Sequence, residues 1–439
     1  MRRLFYAGVS ASLFFFALSA ALQAPGLWGS GGLSPLRYPE IFGLTPGAGV
    51  GALSWTLVGL SLASFLPRVR FFAWLLFYPL ALILMNGGGP FLSFQWDTLL
   101  LEVLVLAALL DRWGLDSAFP VWAGRVALFK LMFLSGCVKL QSGDPTWADL
   151  TALHYHFWTQ PLPTPLAPFF EMLPDIVKKF MTVSTLALEI GGGFMLFLGR
   201  RARQTAAGSF ILLQVVIALT GNYAFFNLLS ATLALFAFME TGRERPRGEI
   251  APLFARTAGG VLIVVSLLWC LRPFASDAFT RLDPVLMTFI ETRVNSSYGL
   301  FAVMTTERVE VSIEGTRDGI HWQPYRFKWK PDRTEDCGSW IAPHQPRLDW
   351  QMWFLSLSVR SADWLNYSPW FMHLLDGIGE GRPAVMALLR ESPFGEEPPR
   401  LLRVHAREFT PGSDACWNTG EPRVLLAPFT PDSLKKFIR

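Results

Sequence analysis

The residues of this sequence best suited to acid and base chemistry lie in or beside long apolar stretches. Carboxylates, amines and imidazoles are the groups that most often move protons in catalysis. Here they are Asp97, Glu102, Lys139, His154, His156 and Glu189. An ionised side chain at the centre of a bilayer costs roughly 2.5–3.5 kcal/mol, so we expect those within apolar stretches to face the interior of a helical bundle and to pair.

Two interpretations of this polar set stay open. One is an intramembrane or interfacial site at the outer side of the bundle, as a membrane enzyme acting on an exported protein or lipid would need. The other is ion pairing between helices that fixes their packing and performs no chemistry. Convergence of the charges on one cavity would favour the enzyme, and separate pairing would weaken it.

Signatures of catalytic and metal sites are missing from the sequence. It contains no G-x-S-x-G elbow, Walker A loop, H-E-x-x-H or G-x-G-x-x-G after a strand. His154 and His156 would share a face on a strand, but no Cys, Asp or Glu set accompanies them, and such residues are common in interfacial belts. We therefore assign no catalytic residue, no metal and no cofactor.

The elements that must position the polar groups are apolar segments. Of the 439 residues, 51% are hydrophobic and 16% are charged, and the mean hydropathy is +0.34. The apolar blocks are roughly 17 to 25 residues long, the length at which a helix crosses a ~30 Å hydrocarbon core. We predict a membrane all-α bundle of about nine transmembrane helices over Phe5–Leu22, Ala48–Leu66, Val69–Met85, Pro90–Leu110, Val121–Val138, Phe180–Gly199, Gln204–Thr220, Asn222–Met239 and Thr257–Leu271.

Basic residues occupy every second connection between these blocks, as the positive-inside rule requires. The groups are Arg2 and Arg3, then Arg68 and Arg70, then Arg112, then Arg200, Arg201 and Arg203, then Arg243, Arg245, Arg247 and Arg256. This pattern predicts a cytoplasmic N-terminus and places everything after Leu271 outside the cytoplasm. We attribute the net charge of +4 to this topology and predict no nucleic-acid partner.

The first apolar block also fits a cleaved signal peptide. Arg2 and Arg3 precede it, and small residues such as Ala20, Ala21 and Ala24 lie near its end. We favour an uncleaved anchor, because the alternation of basic connections works when the block is kept.

The composition changes after the last block, which predicts a polytopic transmembrane domain, residues 1–272, and an extracytoplasmic domain, residues 273–439. In the second domain the charged residues and prolines become frequent, and no further apolar run of 18 residues occurs. We predict an α+β fold there, for which a small β-sandwich is one arrangement.

Particular elements of the outer domain follow from hydrophobic period. Alternation at period two over Arg308–Gly315 and His321–Lys330 predicts a β-hairpin. Apolar residues at helical spacing predict helices over Arg347–Ser358 and Asp363–Ile378, and Leu401–Phe409 is typical of a strand.

The four cysteines divide between the two domains. Cys137 and Cys270 lie in spans, where cysteine is usually a small apolar residue. Cys337 and Cys416 both lie in the outer domain, which the topology places in an oxidising space, so a disulfide between them is expected. Two unpaired thiols are the alternative, because sequence does not supply the Cα separation.

Several stretches of the sequence resemble the lipase maturation factor family. They are Gln95–Glu102, Leu134–Asp144 with Thr159–Pro165, Thr220–Leu229, Val294–Thr306, Ile313–Gly315, Phe327–Pro331 and Ala342–Phe354. They lie in the family's order and extend from about residue 90 to 355. Near the C-terminus, Cys416–Arg423 stands where family members carry an element like Trp-Trp-Arg-Arg.

The resemblance implies a multi-pass protein, of the endoplasmic reticulum membrane in animals, whose lumenal domain helps secreted dimeric lipases to fold and assemble. The implied mechanism is non-catalytic, in that a rigid outer domain binds a partly folded client and reduces wrong association. The composition, rich in Ala, Leu, Gly and Arg, is typical of a bacterial member, which would lie in the inner membrane. The layout is also similar to the vitamin K-dependent gamma-carboxylase, which supports the enzyme alternative.

On the folding-factor interpretation, an aromatic helix of the outer domain is the expected surface for client contact. Its residues and their neighbours are His344, Gln345, Arg347, Trp350, Trp353 and Phe354. The alternative is that this stripe is core that packs against the hairpin or the membrane face.

Overall fold

The computed structural model describes residues 1–38, 45–114, 117–241, 250–361, 363–366, 368–395, 397–413 and 416–435, and for residues 250–252 only the backbone. Its α-helices are α1 (Arg2–Trp28), α2 (Val50–Ala63), α3 (Arg70–Gly87), α4 (Gln95–Trp113), α5 (Phe119–Gln141), α6 (Pro145–Ala148), α7 (Ala152–Thr159), α8 (Ala167–Glu171), α9 (Asp175–Ala187), α10 (Arg200–Thr220), α11 (Phe226–Ala234), α12 (Ile250–Leu271), α13 (Ser276–Phe279), α14 (Asp283–Glu291), α15 (Arg347–Ser358), α16 (Pro369–Gly379), α17 (Pro383–Met386) and α18 (Pro431–Leu434). Shorter helical segments are Gly89–Leu92, Leu188–Gly192, Met195–Phe197, Leu235–Phe238 and Arg272–Phe274.

The predicted helical membrane architecture is confirmed, whereas the number of crossings is not. Within the described ranges, six helices are long and apolar enough to span a membrane: Arg2–Trp28, Arg70–Gly87, Phe119–Gln141, Asp175–Phe197, Arg200–Thr220 and Leu253–Phe274. The other three predicted spans overlap α2, α4 and Phe226–Phe238. Two of these are short, and α4 contains several charged residues, so nine crossings remain a proposal.

Helix α1 lies in the core of the bundle. Its Phe5, Phe16 and Trp28 are fully buried, and the helix packs against α2, α4 and α11. The Trp28 indole donates a hydrogen bond to the carbonyl of Gly88, with an N to O distance of 2.9 Å. The first apolar block is therefore an integral part of the bundle in this structure.

Basic residues from different predicted connections meet at one end of the bundle. Arg2 donates to the carbonyl of Gly114 at 3.1 Å, and Arg70 pairs with Asp111 at 2.7 Å. The C-terminal domain, which we call the outer domain after its predicted location, contacts the bundle elsewhere, at the C-terminal half of α1 through Gln23. The structure does not describe part of the last predicted basic connection, which contains Arg243, Arg245 and Arg247.

The outer domain contains one antiparallel sheet. Its strands are β1 (Arg308–Thr316), β2 (Gln323–Phe327), β3 (Leu389–Glu391), β4 (Leu401–Pro411), β5 (Trp417–Thr419) and β6 (Arg423–Phe429). The order is β3-β2-β1-β4-β5, and β6 pairs with the other half of β4. The hairpin is confirmed, since β1 and β2 pair with Ile313 opposite Tyr325.

Helices, and not a second sheet, cover this sheet, so the suggested β-sandwich is wrong for the described residues. Helix α15 packs on β1, and α16 packs on β4. The bounds predicted for α15 are confirmed. The next helix begins at Pro369 and not at Asp363, because proline favours the first turn of a helix and restricts the residue before it.

The structure joins Cys337 and Cys416 by a disulfide, with their Cα atoms 5.1 Å apart. The bond ties the loop before α15 to the start of β5. Cys137 and Cys270 are buried and unbonded.

Candidate functional site

The outer domain is held on the bundle by buried polar contacts, which we call the junction: Asp97 and Arg347, with Ser19, Gln23, His344 and Gln345 beside them. Asp97 lies in the first turn of α4, and Arg347 is the first residue of α15. The guanidinium donates from Nη1 to Asp97 Oδ2 at 2.8 Å and from Nη2 to Oδ1 at 3.0 Å. Both side chains are fully buried, so this bidentate pair is formed in a low dielectric.

Side chains of α1 complete the junction. Ser19 Oγ lies 3.0 Å from Nδ1 of His344 and accepts from the backbone N–H of Gln345 at 3.1 Å. Gln23 donates to the carbonyl of Gln345 at 2.8 Å and accepts from the N–H of Arg347 at 2.9 Å. Burial, together with the charges of Arg347 and Lys328, lowers the pKa of His344 to about 4, so its imidazole is neutral at pH 7.

A second buried cluster surrounds Glu102 deeper in the bundle. Lys130 donates to both carboxylate oxygens, at 2.7 and 3.0 Å, and to Asn295 Oδ1 at 2.6 Å. The hydroxyl of Tyr298 donates to Glu102 at 2.7 Å, and the N–H of Ser296 does so at 3.2 Å. The cluster thereby ties α4 and α5 to the segment that follows α14.

A third pair, Lys139 and Glu189, joins α5 to a π-helical turn. Lys139 donates to the two oxygens of Glu189 at 3.0 and 2.8 Å, and to the carbonyl of Ser135 at 3.0 Å. Glu189 lies within the π-helical segment Leu188–Gly192, a distortion that often marks functional positions in helices. A Cβ on Gly136 would lie 2.5 Å from Ile190, so only glycine permits this approach of the two segments.

His156 lies beside the third pair, among aromatic rings. Its ring centroid is 5.1 Å from that of Phe301, and its Nε2 is 3.4 Å from the hydroxyl of Tyr223. Burial and the charge of Lys139 lower the pKa of His156 to about 4. Phe301 has a φ of +55°, a conformation that costs a non-glycine residue free energy and is common at functional sites.

His154 does not share this environment, because residues 152–159 form a helix and not an extended strand. Positions two apart on a helix point in different directions. His154 Nε2 lies 3.0 Å from Asp175 Oδ1, at the start of α9. Within the described part of the chain, no three His, Cys, Asp or Glu side chains are grouped as metal ligands.

The six predicted polar residues therefore do not form a single constellation. Asp97, Glu102 and Lys139 each have a different charged partner, and His154 and His156 belong to different surroundings. Separate pairing is the arrangement expected for ion pairs that fix helix packing. Asn295 and Tyr298, the partners of Lys130 and Glu102, were not predicted from the sequence. One signal could have identified them, because both lie in Val294–Thr306, one of the stretches that resemble the family.

The aromatic stripe of α15 is largely buried, which corrects its interpretation as a contact surface. Gln345, Arg347 and Trp350 are covered by the bundle and the sheet. The Trp353 indole donates to the carbonyl of Thr159 at 2.9 Å. Only Phe354 remains substantially exposed, at 42%, because the outer domain packs this helix face against the membrane helices.

Two cavities meet at Lys139 and Glu189. The outer cavity, of about 410 Å³, lies between the bundle and α15. The lateral cavity, of about 290 Å³, lies between α7, α9 and α10. Both are lined by Lys139, Glu189, Ile217 and Phe301, and volumes in this range suit small ligands.

Comparison with protein families gives two matches, to different parts of the chain. Residues 1–243 match the model described as the lipase maturation factor transmembrane domain, and residues 294–416 match the lipase maturation factor C-terminal domain.

Individual relatives align along most of the chain. Lipase maturation factor 2 of Mus musculus is 30% identical to this chain over an alignment 577 residues long. The alignment covers 95% of this chain and 81% of the relative. For lipase maturation factor 2 of Gallus gallus the identity is 29%, with 95% and 79% covered. Lipase maturation factor 1 of Bos taurus is 30% identical, with 73% and 63% covered. No solved structure gives a significant match.

Proposed function

The chain belongs to the lipase maturation factor family, and on this premise we propose that it is a membrane-anchored folding factor that assists the folding or dimer assembly of secreted lipases. The observation that carries the proposal is the match of both a transmembrane and a C-terminal domain to this family. The chain is a multi-pass membrane protein.

The junction supports a non-catalytic role for the outer domain. A domain fixed by a buried bidentate ion pair and by hydrogen bonds to α1 is held in one orientation. Such a rigid surface can bind a partly folded client and shield its apolar regions from wrong association. The separate pairing of Asp97, Glu102 and Lys139 weakens the enzyme alternative, although Lys139, His156 and Glu189 line one cavity.

For the topology we propose two domains, residues 1–272 and 273–439, with the second outside the cytoplasm. The basic groups at one end of the bundle support this orientation, and so does a disulfide in the outer domain. In a bacterium the membrane is the inner membrane, and in a eukaryote it is that of the endoplasmic reticulum.

We place the client contact at an exposed apolar patch consisting of Val303, Phe354 and Leu357. These side chains are 67%, 42% and 47% exposed, and all three line the outer cavity. Exposed apolar groups that lie together are typical of binding surfaces. The patch replaces the larger buried set predicted from the sequence, of which it retains Phe354.

The proposal is tested by deleting the gene in its native host and measuring the amount and specific activity of each exported lipase and esterase. We expect one or more lipases to lose specific activity and to accumulate as inactive, misassembled protein, with rescue by the wild-type gene. Unchanged hydrolases would overturn the folding-factor role.

A paired set of variants then tests the contact surface. Phe354→Ser with Leu357→Ser should fail to rescue lipase activity although the factor is present at normal level. Ile320→Ser, which removes a more exposed apolar side chain, at 76%, from the hairpin loop, should rescue fully. Full rescue by the patch variant would place the contact elsewhere.

A further inference from the structure

Three large apolar side chains protrude from α8 and the first turn of α9. Phe169, Met172 and Ile176 are 59%, 72% and 75% exposed. The other side of α8 packs on the protein, since the ring of Phe170 lies 5.5 Å from that of Phe157 between centroids. Single exposed apolar side chains are common, but several close together indicate a surface that has a partner.

The length of α9 and its continuation fixes the height of this segment relative to the bilayer. The helical stretch Asp175–Phe197 is apolar enough to span a membrane, and Arg200 begins the next helix at its far end. A ~30 Å hydrocarbon core takes about 20 helical residues, which reach Phe180 when they are counted back from Gly199. Ile176 then lies about 6 Å beyond the hydrocarbon, within a headgroup region about 5–7 Å thick.

Contacts to spanning helices hold α8 at the same height. The ammonium of Lys178, in the first turn of α9, donates to the carbonyl of Glu171 at the end of α8, with an N to O distance of 2.7 Å. Just before α8, the hydroxyl of Thr164 donates to the carbonyl of Leu219 at 2.6 Å. Leu219 lies in the last turn of α10, another helix apolar enough to span the membrane. Both ends of α8 therefore lie at the boundary of the bilayer.

The exposed side of this segment continues the lipid-facing side of α9. Ile176, Phe180 and Val183 lie at helical spacing on one face, and the last two are 71% and 44% exposed within the apolar stretch. Lys179 beside them is also exposed, and a lysine at this height can keep its ammonium among the lipid headgroups. The surface that lipid covers on α9 thus extends to Ile176, at the level of α8.

We propose that α8 and the first turn of α9 form an interfacial anchor, in which Phe169, Met172 and Ile176 insert into the headgroup region of the bilayer on the side of the outer domain. The partner is the lipid surface, because insertion removes these apolar side chains from water. Gly338 of the outer domain lies against Pro163, just before α8, where a Cβ would be 2.5 Å from the Pro163 carbonyl oxygen. The anchor therefore also sets the height of the outer domain above the bilayer. This proposal is independent of the folding-factor role, because it concerns only the position of the protein in the membrane.

The test is site-directed spin labelling of the full-length protein in phosphatidylcholine nanodiscs. The free cysteines Cys137 and Cys270 are first replaced by alanine. Phe169→Cys, Met172→Cys and Ile176→Cys are then labelled singly with a nitroxide, and melting temperatures verify that each variant is folded. Power saturation with oxygen, which concentrates in hydrocarbon, and with a water-soluble nickel chelate gives the depth of each label.

Two matched controls define the extremes of depth. Leu212→Cys, at a 63% exposed position in the middle of α10, reports the hydrocarbon. Ile320→Cys, at a 76% exposed position in the hairpin loop of the outer domain, reports water. We expect the three test labels to lie between these controls, about 5–10 Å inside the headgroup surface.

Several results would overturn the proposal. Chelate accessibility equal to that of Ile320→Cys would place the segment in water, and a depth equal to that of Leu212→Cys would place it in the hydrocarbon. Low accessibility to both reagents would show that a client or a second copy of the chain covers the segment.

A further pair of variants tests whether these side chains hold the segment in the membrane. With the label at Phe169→Cys, the double substitution Met172→Ser with Ile176→Ser should shift the label by several ångströms toward water. Val424→Ser, which removes a 66% exposed apolar side chain from β6, should leave the depth unchanged. An unchanged depth in the double variant would contradict the anchoring role.

Discussion

The carboxylate of Asp97 and the guanidinium of Arg347 form a bidentate ion pair across the boundary between the membrane bundle and the outer domain, although 250 residues separate them in the chain. Neither side chain is exposed. The pair therefore makes the position of the outer domain depend on the integrity of a helix in the membrane.

Breaking this pair should be strongly destabilising. Asp97→Asn leaves the buried Arg347 charge without compensation, and we expect a loss of about 3–5 kcal/mol, measured as a fall in the melting temperature of the purified protein. Asp97→Leu with Arg347→Met should recover most of the loss, because it removes both charges. Arg272→Ala, at a partly exposed ion pair, serves as the control, with an effect of about 0–1 kcal/mol. Similar melting temperatures for Asp97→Asn and Arg272→Ala would contradict the assigned role.

Two glutamines at the junction should respond in opposite ways to loss of the amide. Both polar side-chain atoms of Gln345 are buried without partners among the described residues, so Gln345→Met should be neutral or stabilising. Gln23→Met removes bonds to Gln345 and Arg347 and should cost about 1–3 kcal/mol for each buried group left unpaired. Thermal melting of the two variants checks the contrast, and a larger loss for Gln345→Met would refute it.

The close approach of α5 to the π-helical turn should depend on Gly136. In Gly136→Ala the new Cβ would lie 2.5 Å from Ile190 and 3.1 Å from Glu189 Cβ, and overpacking of this kind costs about 1–3 kcal/mol. Gly208→Ala, where no atom lies within 4 Å, should be neutral or gain about 0.5–1 kcal/mol from helix propensity. Yield and melting temperature distinguish them, and equal stability would show that the turn tolerates displacement.

The disulfide offers a test of topology as well as of stability. Protein isolated with thiols blocked should have the mass of one disulfide, and Cys337→Ala should abolish it and destabilise the outer domain by about 2–4 kcal/mol. Cys137→Ala, at a buried unbonded cysteine, should leave the bond intact. Reduced Cys337 and Cys416 in freshly isolated protein would contradict an outer domain in an oxidising space.

Stability should also depend on pH through Asp349. Burial raises the pKa of this carboxyl from 3.8 to about 6, although the N–H groups of Trp329 and Lys330 donate to it. Between about pH 4 and 6 the folded protein therefore holds a proton that the unfolded chain releases. The contribution of Asp349 to stability falls by about 3 kcal/mol at most as pH rises through this window, and it is constant above it. The lowered pKa values of His344 and His156 act in the opposite direction over the same range, so the contribution of Asp349 is isolated by comparison with a variant.

The variant Asp349→Asn removes this titration but keeps an oxygen for both donors. Its stability relative to the wild type should rise between about pH 4 and 6 and then level. Melting curves over this range check the result, with Asp149→Asn at an exposed side chain as the control for charge removal. A difference that does not change with pH would contradict the assigned titration.

The spacing of apolar residues along the chain was sufficient to predict strands and helices that bury one face. The hairpin around Ile313 and Tyr325 follows from alternation, and the bounds of α15 follow from apolar spacing after Pro346. The same pattern misassigned Trp350 and Gln345 to a contact surface, because a helical period shows that a face is buried or binding but not what covers it.

The sequence by itself determined that the chain is helical and membrane-embedded, that an α+β domain follows the spans, and which family stretches it contains, because these depend on composition, run length and residues close together in the chain. Only the tertiary structure decided that Asp97 meets Arg347, that Glu102 meets Lys130 and that Lys139 meets Glu189. Any carboxylate in the bundle could have paired with any of several cations, and helix packing selects among them. The cavities between these pairs also arise only where separate elements fail to fill space, which no linear pattern records.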